Sequence, residues 1–334
     1  MTIRITRREM YEKFFSILQK NGFNRNKAEI LANIFTDNSI DGVYTHGVNR
    51  FARFILYVNE KCIDINGEPE LKHSTGAFEQ WDGNLGAGPL NALHSTNRSI
   101  ELSRQFGIGC VGLANTNHWM RGGTYGGHAA KNGCAFIGWT NTLALMPTWN
   151  AINPKLGNNP IVFASPYNDE AIVLDMAMSQ FSVGKLETGK RRNQELSHYG
   201  GYDENGTMTK DAAAILKTKR ILPMGLWKGA GLALLIDILA TVFSSGLSTE
   251  EINKFKYEHS LSQVFISIDL SRLGNASTIK QTINNIIADY KTSIPEFENA
   301  EILYPGERVL NTRNENRKNG IPVDEEIWNE IQNL

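Results

Sequence analysis

The sequence predicts an α/β fold in which a helical N-terminal subdomain is followed by a mixed-sheet, non-Rossmann domain. Apolar residues recur at helical spacing through the first 65 residues, and no strand pattern interrupts them. From residue 70 onward, short apolar runs alternate with helical patterns, as they do where helices pack on a sheet. A length of 334 residues accommodates two or three domains at ~100–200 residues each.

Three helices are predicted before residue 65. The first begins at a capping box formed by Thr6 and Glu9, whose side chains can satisfy free amides of the first turn. The second follows Asn24, a residue that caps helix N-termini well, and the third begins near His46. Each helix has one apolar face, so we expect the three to share a core.

The second region is predicted to contain six strands, three helices and one long loop. Helical patterns cover residues 90–106, 228–245 and 277–290, and the second is so apolar that we expect it to be buried. Residues 186–211 are polar and glycine-rich, which is typical of a long surface loop. The strand-like runs are 77–81, 110–114, 134–139, 161–164, 172–176 and 263–268.

The composition argues against several classes of function. The 34 Lys and Arg residues balance 35 Asp and Glu residues, which removes the positive surface expected of a nucleic-acid-binding protein. The three cysteines have no CxxC spacing, so neither a disulfide framework nor a zinc site is indicated. The N-terminus lacks the apolar segment of a signal peptide, and the most apolar stretch, 232–243, is too short to span a bilayer. We expect a cytoplasmic protein that binds neither nucleic acid nor membrane.

Familiar catalytic motifs are absent or fail in their context. Residues 107–112 read GxGxxG, but here a helix ends and a strand begins, the reverse of a dinucleotide-binding turn, and a helix C-cap explains Gly107 better. Residues 184–191 fall one residue short of a P-loop, with Arg191 where the magnesium-binding Ser or Thr would be. The seven histidines show no metal-binding spacing and no GxSxG elbow occurs, so we expect neither a metal site nor a serine hydrolase.

His46 and Arg50 form the strongest local candidate for a site. They are four residues apart at a predicted helix start, so they share one face. Arginine offers two parallel hydrogen bonds to a carboxylate, and histidine exchanges a proton near neutral pH. The pair therefore suits a small carbonyl compound that carries a carboxylate. The spacing is also compatible with a capping histidine and a solvated arginine.

Two further segments carry weaker signals. His118 follows a strand-like run and opens the glycine-rich segment 119–126, where α/β proteins build sites; a hydrogen-bonded core histidine fits the pattern equally well. Residues 227–231 place Lys228 at the start of an apolar helix. That arrangement suits an anion such as phosphate, and equally suits close helix packing through small residues.

Together these segments resemble the type 2 malate/L-lactate/sulfolactate dehydrogenases, a family unrelated to the Rossmann lactate dehydrogenases. The resemblance covers nearly the whole chain. The strings GVYTHGVNRFARF, NHWMRGGTYG and RILPMGLWKGAG are most similar to the members that reduce 2,3-diketo-L-gulonate. The matching segments are 45–50 (THGVNR), 117–119 (NHW), 157–160 (GNNP), 175–179 (DMAMS), 227–229 (WKG) and 304–306 (YPG).

The resemblance implies a homodimeric reductase of a small sugar acid, with NADH, or alternatively NADPH, bound by the non-Rossmann domain. It implies His46 as the proton donor to the reduced carbonyl group, and Thr45, Arg50, His118 and Asn159 as substrate-binding residues. The implied cofactor-binding residues are Ala171, Ile172, Val173, Leu174, Asp175, Met176, Ala177, Trp227, Lys228, Tyr304, Pro305 and Gly306.

We expect a corresponding division into domains. Residues 1–70 would form a helical substrate and dimer subdomain, joined by the C-terminal segment 305–334. Residues 71–304 would form the α/β cofactor-binding and catalytic region.

Two departures from the family pattern bear on the substrate. Thr45 replaces the usual serine, and Asn158 replaces the usual threonine. The alternatives are a dehydrogenase of another 2-hydroxy acid, a reductase of a cyclic imine acid and, from a different class, a non-catalytic sugar-acid-binding protein. Residues 190–192 (KRR) would either meet the 2′-phosphate of NADPH or lie solvated in a loop.

Overall fold

The computed structural model describes residues 1–334, which pack around three hydrophobic cores. The helices are α1 (Arg7–Lys20), α2 (Arg25–Ile40), α3 (Val48–Asn59), α4 (Gly88–Phe106), α5 (Gly122–Lys131), α6 (Val183–Arg192), α7 (Ala212–Thr218), α8 (Trp227–Ser244), α9 (Thr249–Ile252), α10 (Ala276–Lys291), α11 (Glu307–Asn319) and α12 (Glu325–Gln332). The strands are β1 (Thr2–Ile5), β2 (Glu70–Thr75), β3 (Phe78–Asp82), β4 (Ile108–Thr116), β5 (Cys134–Thr140), β6 (Ala144–Pro147), β7 (Pro154–Gly157), β8 (Ile161–Tyr167), β9 (Glu170–Met176), β10 (Gly201–Tyr202), β11 (Met208–Thr209), β12 (Leu261–Asp269) and β13 (Ile321–Asp324).

A seven-stranded sheet in the order β2-β3-β4-β12-β5-β8-β9 forms the centre of the fold. Only β3 and β4 pair in parallel, and every other pair in this sheet is antiparallel. A Rossmann sheet is mostly parallel, so the predicted α/β class with a mixed, non-Rossmann sheet is confirmed. All six predicted strands are present, but the expectation that no strand occurs in the first 65 residues is wrong, since β1 is too short and too exposed to leave an apolar pattern.

The two faces of the sheet have separate cores. Helices α4 and α5 cover one face, where Phe136, Val162 and Phe265 point toward them. Helix α8 covers the other face, over Trp139 and Val264. The alternation of side chains along each strand explains why one strand, β12, supplies both cores. Helix α4 ends as predicted at Gly107, whose φ of 87° is left-handed.

The N-terminal helices pack around a third core rich in aromatic residues. Phe14 and Phe51 stack with ring centroids 4.0 Å apart. The Thr6 and Asn24 side chains cap α1 and α2 by accepting backbone N–H groups at 3.1 and 2.9 Å. The chain returns to this core at its far end, because β13 pairs antiparallel with β1 and α12 contributes Trp328.

The expectation of a long loop over residues 186–211 is wrong. Helix α6 covers Val183–Arg192, and the hairpin of β10 and β11 follows it. Ser182 caps α6 by accepting from Lys185 N, and only Leu186 and Gly189 of the helix are buried. With so few buried positions, the helix leaves no apolar period in the sequence.

The expectation that α8 is buried is also wrong. Small residues such as Gly229, Ala233 and Ala240 face the sheet, while Trp227 and Val242 are 61% and 62% exposed. By length and composition alone, α8 also qualifies as a candidate membrane span, although a core helix of a folded domain passes the same test.

Candidate active site

His46 and His118, which are far apart in the sequence, lie face to face. Their ring centroids are 5.6 Å apart and their planes differ by 21°. His46 ends a 3₁₀ turn before α3, and its backbone carbonyl accepts a hydrogen bond from Asn38 of α2 at 3.0 Å. His118 Nδ1 accepts from Met120 N at 2.9 Å, which puts the proton of the neutral ring on Nε2. The structure thus brings two of the predicted site residues together.

The surroundings of both rings disfavour a positive charge. Desolvation, followed by the charges of Arg50 and Arg121, lowers the pKa of His46 to about 3. Desolvation and the charge of Arg50 also lower the pKa of His118. Both rings are therefore neutral at neutral pH. An anion bound at Arg50 would offset its charge, so we expect the His46 pKa to rise when such an anion binds.

Arg50 has a guanidinium group that is largely enclosed and forms no hydrogen bond with the protein. Its side chain is 17% exposed, and the nearest carboxylate oxygen, Glu258 Oε2, lies 3.7 Å from Nη2. Its N–H groups therefore remain available for a carboxylate ligand. Arg50, Arg53, Tyr57, Asn117 and His118 line a cavity of about 10 Å³, the room of roughly one water.

Thr45 lies beside His46 and under the first turn of α6. Its Oγ1 is 3.3 Å from His46 Nδ1. The α6 backbone approaches so closely that a Cβ atom added at Gly184 would lie 2.5 Å from Thr45 Cβ. Glycine is therefore required at position 184 if the turn that carries His46 is to keep its place.

Asn159 has its side chain engaged in hydrogen bonds within the protein. It is fully buried, its Nδ2 donates to the Ala233 carbonyl of α8 at 2.9 Å, and its Oδ1 accepts from Thr142 at 3.2 Å. These bonds fix α8 against the segment before β8. Neither hydrogen bond connects the Asn159 side chain to His46 or His118.

Two of the three predicted cofactor segments lie side by side at the edge of the sheet. The segment 171–177 forms most of the edge strand β9, and Val173 N donates to the Pro305 carbonyl at 3.1 Å. Gly306 has a φ of 94° and a Cβ there would lie 3.2 Å from Val173 N. Asp175 accepts a hydrogen bond from Gly123 N, in the first turn of α5, at 2.7 Å.

The third segment, Trp227–Lys228, begins α8 next to the end of β9. Met224 N donates to the Met178 carbonyl at 2.8 Å, which ties the two segments together. Free N–H groups at the helix start and the Lys228 ammonium suit phosphate groups, and the exposed Trp227 ring offers an apolar face. The residues present therefore fit a nicotinamide dinucleotide.

The sequence interpretation missed Arg121, which connects the two halves of this region. It is bonded to the buried Asp41 carboxylate and its charge acts on both His46 and Asp175. Arg121 lies within the NHWMRGGTYG string, three residues after His118. Its partner Asp41 is too distant in sequence for any local pattern to reveal the pair.

Other features of the surface offer fewer reactive side chains. A cavity of about 360 Å³ lies between α10 and the β8–β9 turn, lined by Tyr167, Ile279 and Lys280 among others, without a histidine or arginine. No group of three or more His, Cys, Asp or Glu side chains is arranged to hold a metal ion.

A family model for malate/L-lactate dehydrogenases matches residues 5–332, and the chain belongs to this family. It is accordingly an oxidoreductase that acts on hydroxy and keto acids, and the family implies a nicotinamide cofactor.

Two named relatives and one solved structure are similar to this chain over nearly its whole length. The chain is 40% identical over 333 residues to the 2,3-diketo-L-gulonate reductase of Citrobacter koseri, covering 99% of this chain and 100% of that protein. It is 39% identical, with the same coverage, to that of Salmonella paratyphi C. The solved structure of sulfolactate dehydrogenase from Methanocaldococcus jannaschii matches with a TM-score of 0.90 at 26% identity, covering 99% of this chain and 96% of that one.

Proposed function

We propose that this protein reduces 2,3-diketo-L-gulonate to 3-dehydro-L-gulonate, with NADH as the hydride source and His46 as the proton donor. The observation that carries the proposal is the placement of His46 beside His118 and the free guanidinium of Arg50. The identity of 40% to a 2,3-diketo-L-gulonate reductase supports the choice of substrate.

A nicotinamide dinucleotide held by residues 171–177, 227–228 and 304–306 would supply the hydride for the substrate carbonyl carbon. Arg50 would hold the substrate carboxylate through its free N–H groups. His46 would give a proton to the oxygen of the same carbonyl, and His118 Nε2–H would donate a hydrogen bond to a neighbouring oxygen. Because these side chains are only partly exposed, their charges and dipoles act more strongly on the reacting atoms than they would in bulk water.

NADH is proposed over NADPH on the basis of charge placement. Lys190, Arg191 and Arg192 occupy the last turn of α6, where cations complement the helix dipole. Their charge is thus accounted for without the 2′-phosphate. The ratio of kcat/KM for the two coenzymes measures the preference.

We further infer that the protein is a cytoplasmic homodimer. The apolar face of α8 supports a second copy as partner, since single copies would leave Leu235, Leu239 and Val242 in water.

Purified protein should oxidise NADH with 2,3-diketo-L-gulonate faster than with oxaloacetate, pyruvate or a cyclic imine acid. A preference for another of these acids would support the same class of reaction with a different substrate. Absence of NADH binding would refute the proposal.

His46→Gln should lower kcat about 10²–10⁴-fold with little change in KM, because the amide keeps the size of the side chain and loses the transferable proton. An unchanged kcat would show that His46 is not the proton donor. His73→Gln, at an exposed histidine of β2, is the matched control and should behave as wild type.

A further inference from the structure

Glu258 is the carboxylate next to Arg50, and no sequence pattern singled it out. It belongs to the segment between α9 and β12, and its side chain is 8% exposed. Its Oε1 accepts from Leu143 N at 3.2 Å, and its Oε2 lies 3.7 Å from Arg50 Nη2. A carboxylate is costly to enclose, so its presence here calls for a physical reason.

The Arg50–Glu258 pair differs from the structural ion pair formed by Arg98 and Glu79. Arg98 donates two hydrogen bonds of 2.8 Å to the two oxygens of the buried Glu79, which saturates that carboxylate. Glu258 instead stays 3.7 Å from Arg50. This separation orients the guanidinium by charge and leaves its N–H groups free for a ligand.

Glu258 also sets the charge of the pocket. Arg53 pairs with Glu187 at 2.9 Å, so Arg50 and Arg53 are balanced by Glu258 and Glu187. His118 is neutral, since desolvation and Arg50 lower its pKa. One carboxylate on a ligand can pair with Arg50. A second anionic group near Glu258 would be repelled by this carboxylate.

We propose that Glu258 is a positioning residue that aims Arg50 into the pocket and selects keto acids with one carboxylate over dianions of similar size. The inference rests on the proposed function, because it takes Arg50 as the carboxylate-binding group.

The test uses oxamate and oxalate, two planar keto-acid analogues of similar shape that differ by one negative charge. Their dissociation constants from the enzyme–NADH complex can be measured by NADH fluorescence. Wild type should prefer oxamate. In Glu258→Gln, the preference for oxamate should shift toward oxalate by about tenfold, because one negative charge has been removed near the ligand. Glu79→Gln, which removes a buried, arginine-paired carboxylate outside the pocket, is the control, and its ratio should stay within about twofold of wild type.

Glu258→Asp separates positioning from a structural role. It keeps the charge and shortens the reach, so both analogues should bind more weakly while the oxamate preference remains. If Glu258→Gln does not fold, the oxamate-to-oxalate ratio of Glu258→Asp and its weaker binding of both analogues decide the question.

Two results would overturn the inference: an unchanged ratio in folded Glu258→Gln, or a shift of equal size in Glu79→Gln. Failure of the proposed function has a different signature. If Glu258→Gln shows the ratio shift but wild type reduces none of the keto acids, the proposed reaction is refuted and the role of Glu258 stands. Wild type that binds neither analogue would refute both.

Discussion

At the scale of single residues, the charge of His46 depends on its neighbours. In the free protein its pKa is about 3, below the ordinary value of 6.5. The unfolded chain therefore binds this proton more readily, and the group destabilises the fold as pH falls from about 6.5 toward 3. Between about pH 7 and pH 4.5, wild type should lose roughly 2–3 kcal/mol more unfolding free energy than His46→Gln, as measured by urea denaturation. Equal losses would contradict the desolvated, neutral state of the ring.

Gly184 is a second residue whose identity follows from the structure. Gly184→Ala would place a methyl group 2.5 Å from Thr45 Cβ, so the turn that carries His46 must shift. We expect kcat/KM to fall at least about tenfold, because small displacements of catalytic groups are costly. Gly274→Ala is the control, since a Cβ there meets nothing within 4 Å. Steady-state kinetics of the two variants decide the matter, and equal activity would show that α6 adjusts instead.

Local spacing found part of this site and missed the rest for a physical reason. His46 and Arg50 are one helical turn apart, so a single segment shows that they share a face. Glu258 and Arg121 reach them only through the tertiary fold. No local pattern encodes such a contact, and resemblance to a family pointed to His118 without explaining its geometry.

At the scale of elements, a buried ion network holds three helices together. Asp41, after α2, accepts hydrogen bonds from Arg313 of α11 at 2.6 and 2.9 Å, and also from Arg121 next to α5. Burial raises the pKa of Asp41, but the hydrogen bonds from Arg313 and both positive charges outweigh it, so the pKa lies below its ordinary value. This stabilisation is present above the unfolded pKa and is lost as pH falls through the folded one.

Asp41→Asn should cost about 3–5 kcal/mol of unfolding free energy, because it leaves the enclosed Arg121 guanidinium without its carboxylate and leaves Arg313 with Glu170 alone. Asp37→Asn is the matched control: it breaks an ion pair with Arg7 in which the Asp37 side chain is 57% exposed, and should cost less than about 1 kcal/mol. Urea denaturation at neutral pH measures both. Similar costs for the two variants would show that burial does not strengthen the network.

The two wrong expectations about helices have one cause. Composition reports how apolar a segment is, and does not report which face the sheet covers. Helix α8 packs through its small residues and leaves large ones outside, while α6 buries only Leu186 and Gly189. Six of the seven strands of the central sheet were predicted, because in a sheet covered on both faces they appear as short apolar runs, whereas β2 was missed because all its residues are exposed.

At the scale of the whole molecule, the exposed side of α8 bears on assembly. Replacing Leu235 and Ile238 together by lysine would put two charges in the middle of this face. Wild type should elute at twice the chain mass of 37.3 kDa, and the double variant at the chain mass, in size-exclusion chromatography with light scattering. Leu71→Lys, at an exposed leucine of the edge strand β2, is the control and should leave the mass unchanged. A dimeric double variant would rule out α8 as the contact.

The pairing of β1 with β13 has a consequence for how the protein is made. Ile321, Trp328 and Ile331 complete the core on which α1, α2 and α3 pack. During synthesis, which runs from the N-terminus, the segment with His46 leaves the ribosome long before these residues do. The central sheet has all its strands earlier, since β12 ends at Asp269. The strands of the central sheet can therefore pair during synthesis, whereas the segment with the proposed proton donor is fully packed only after residues 321–331 have been translated.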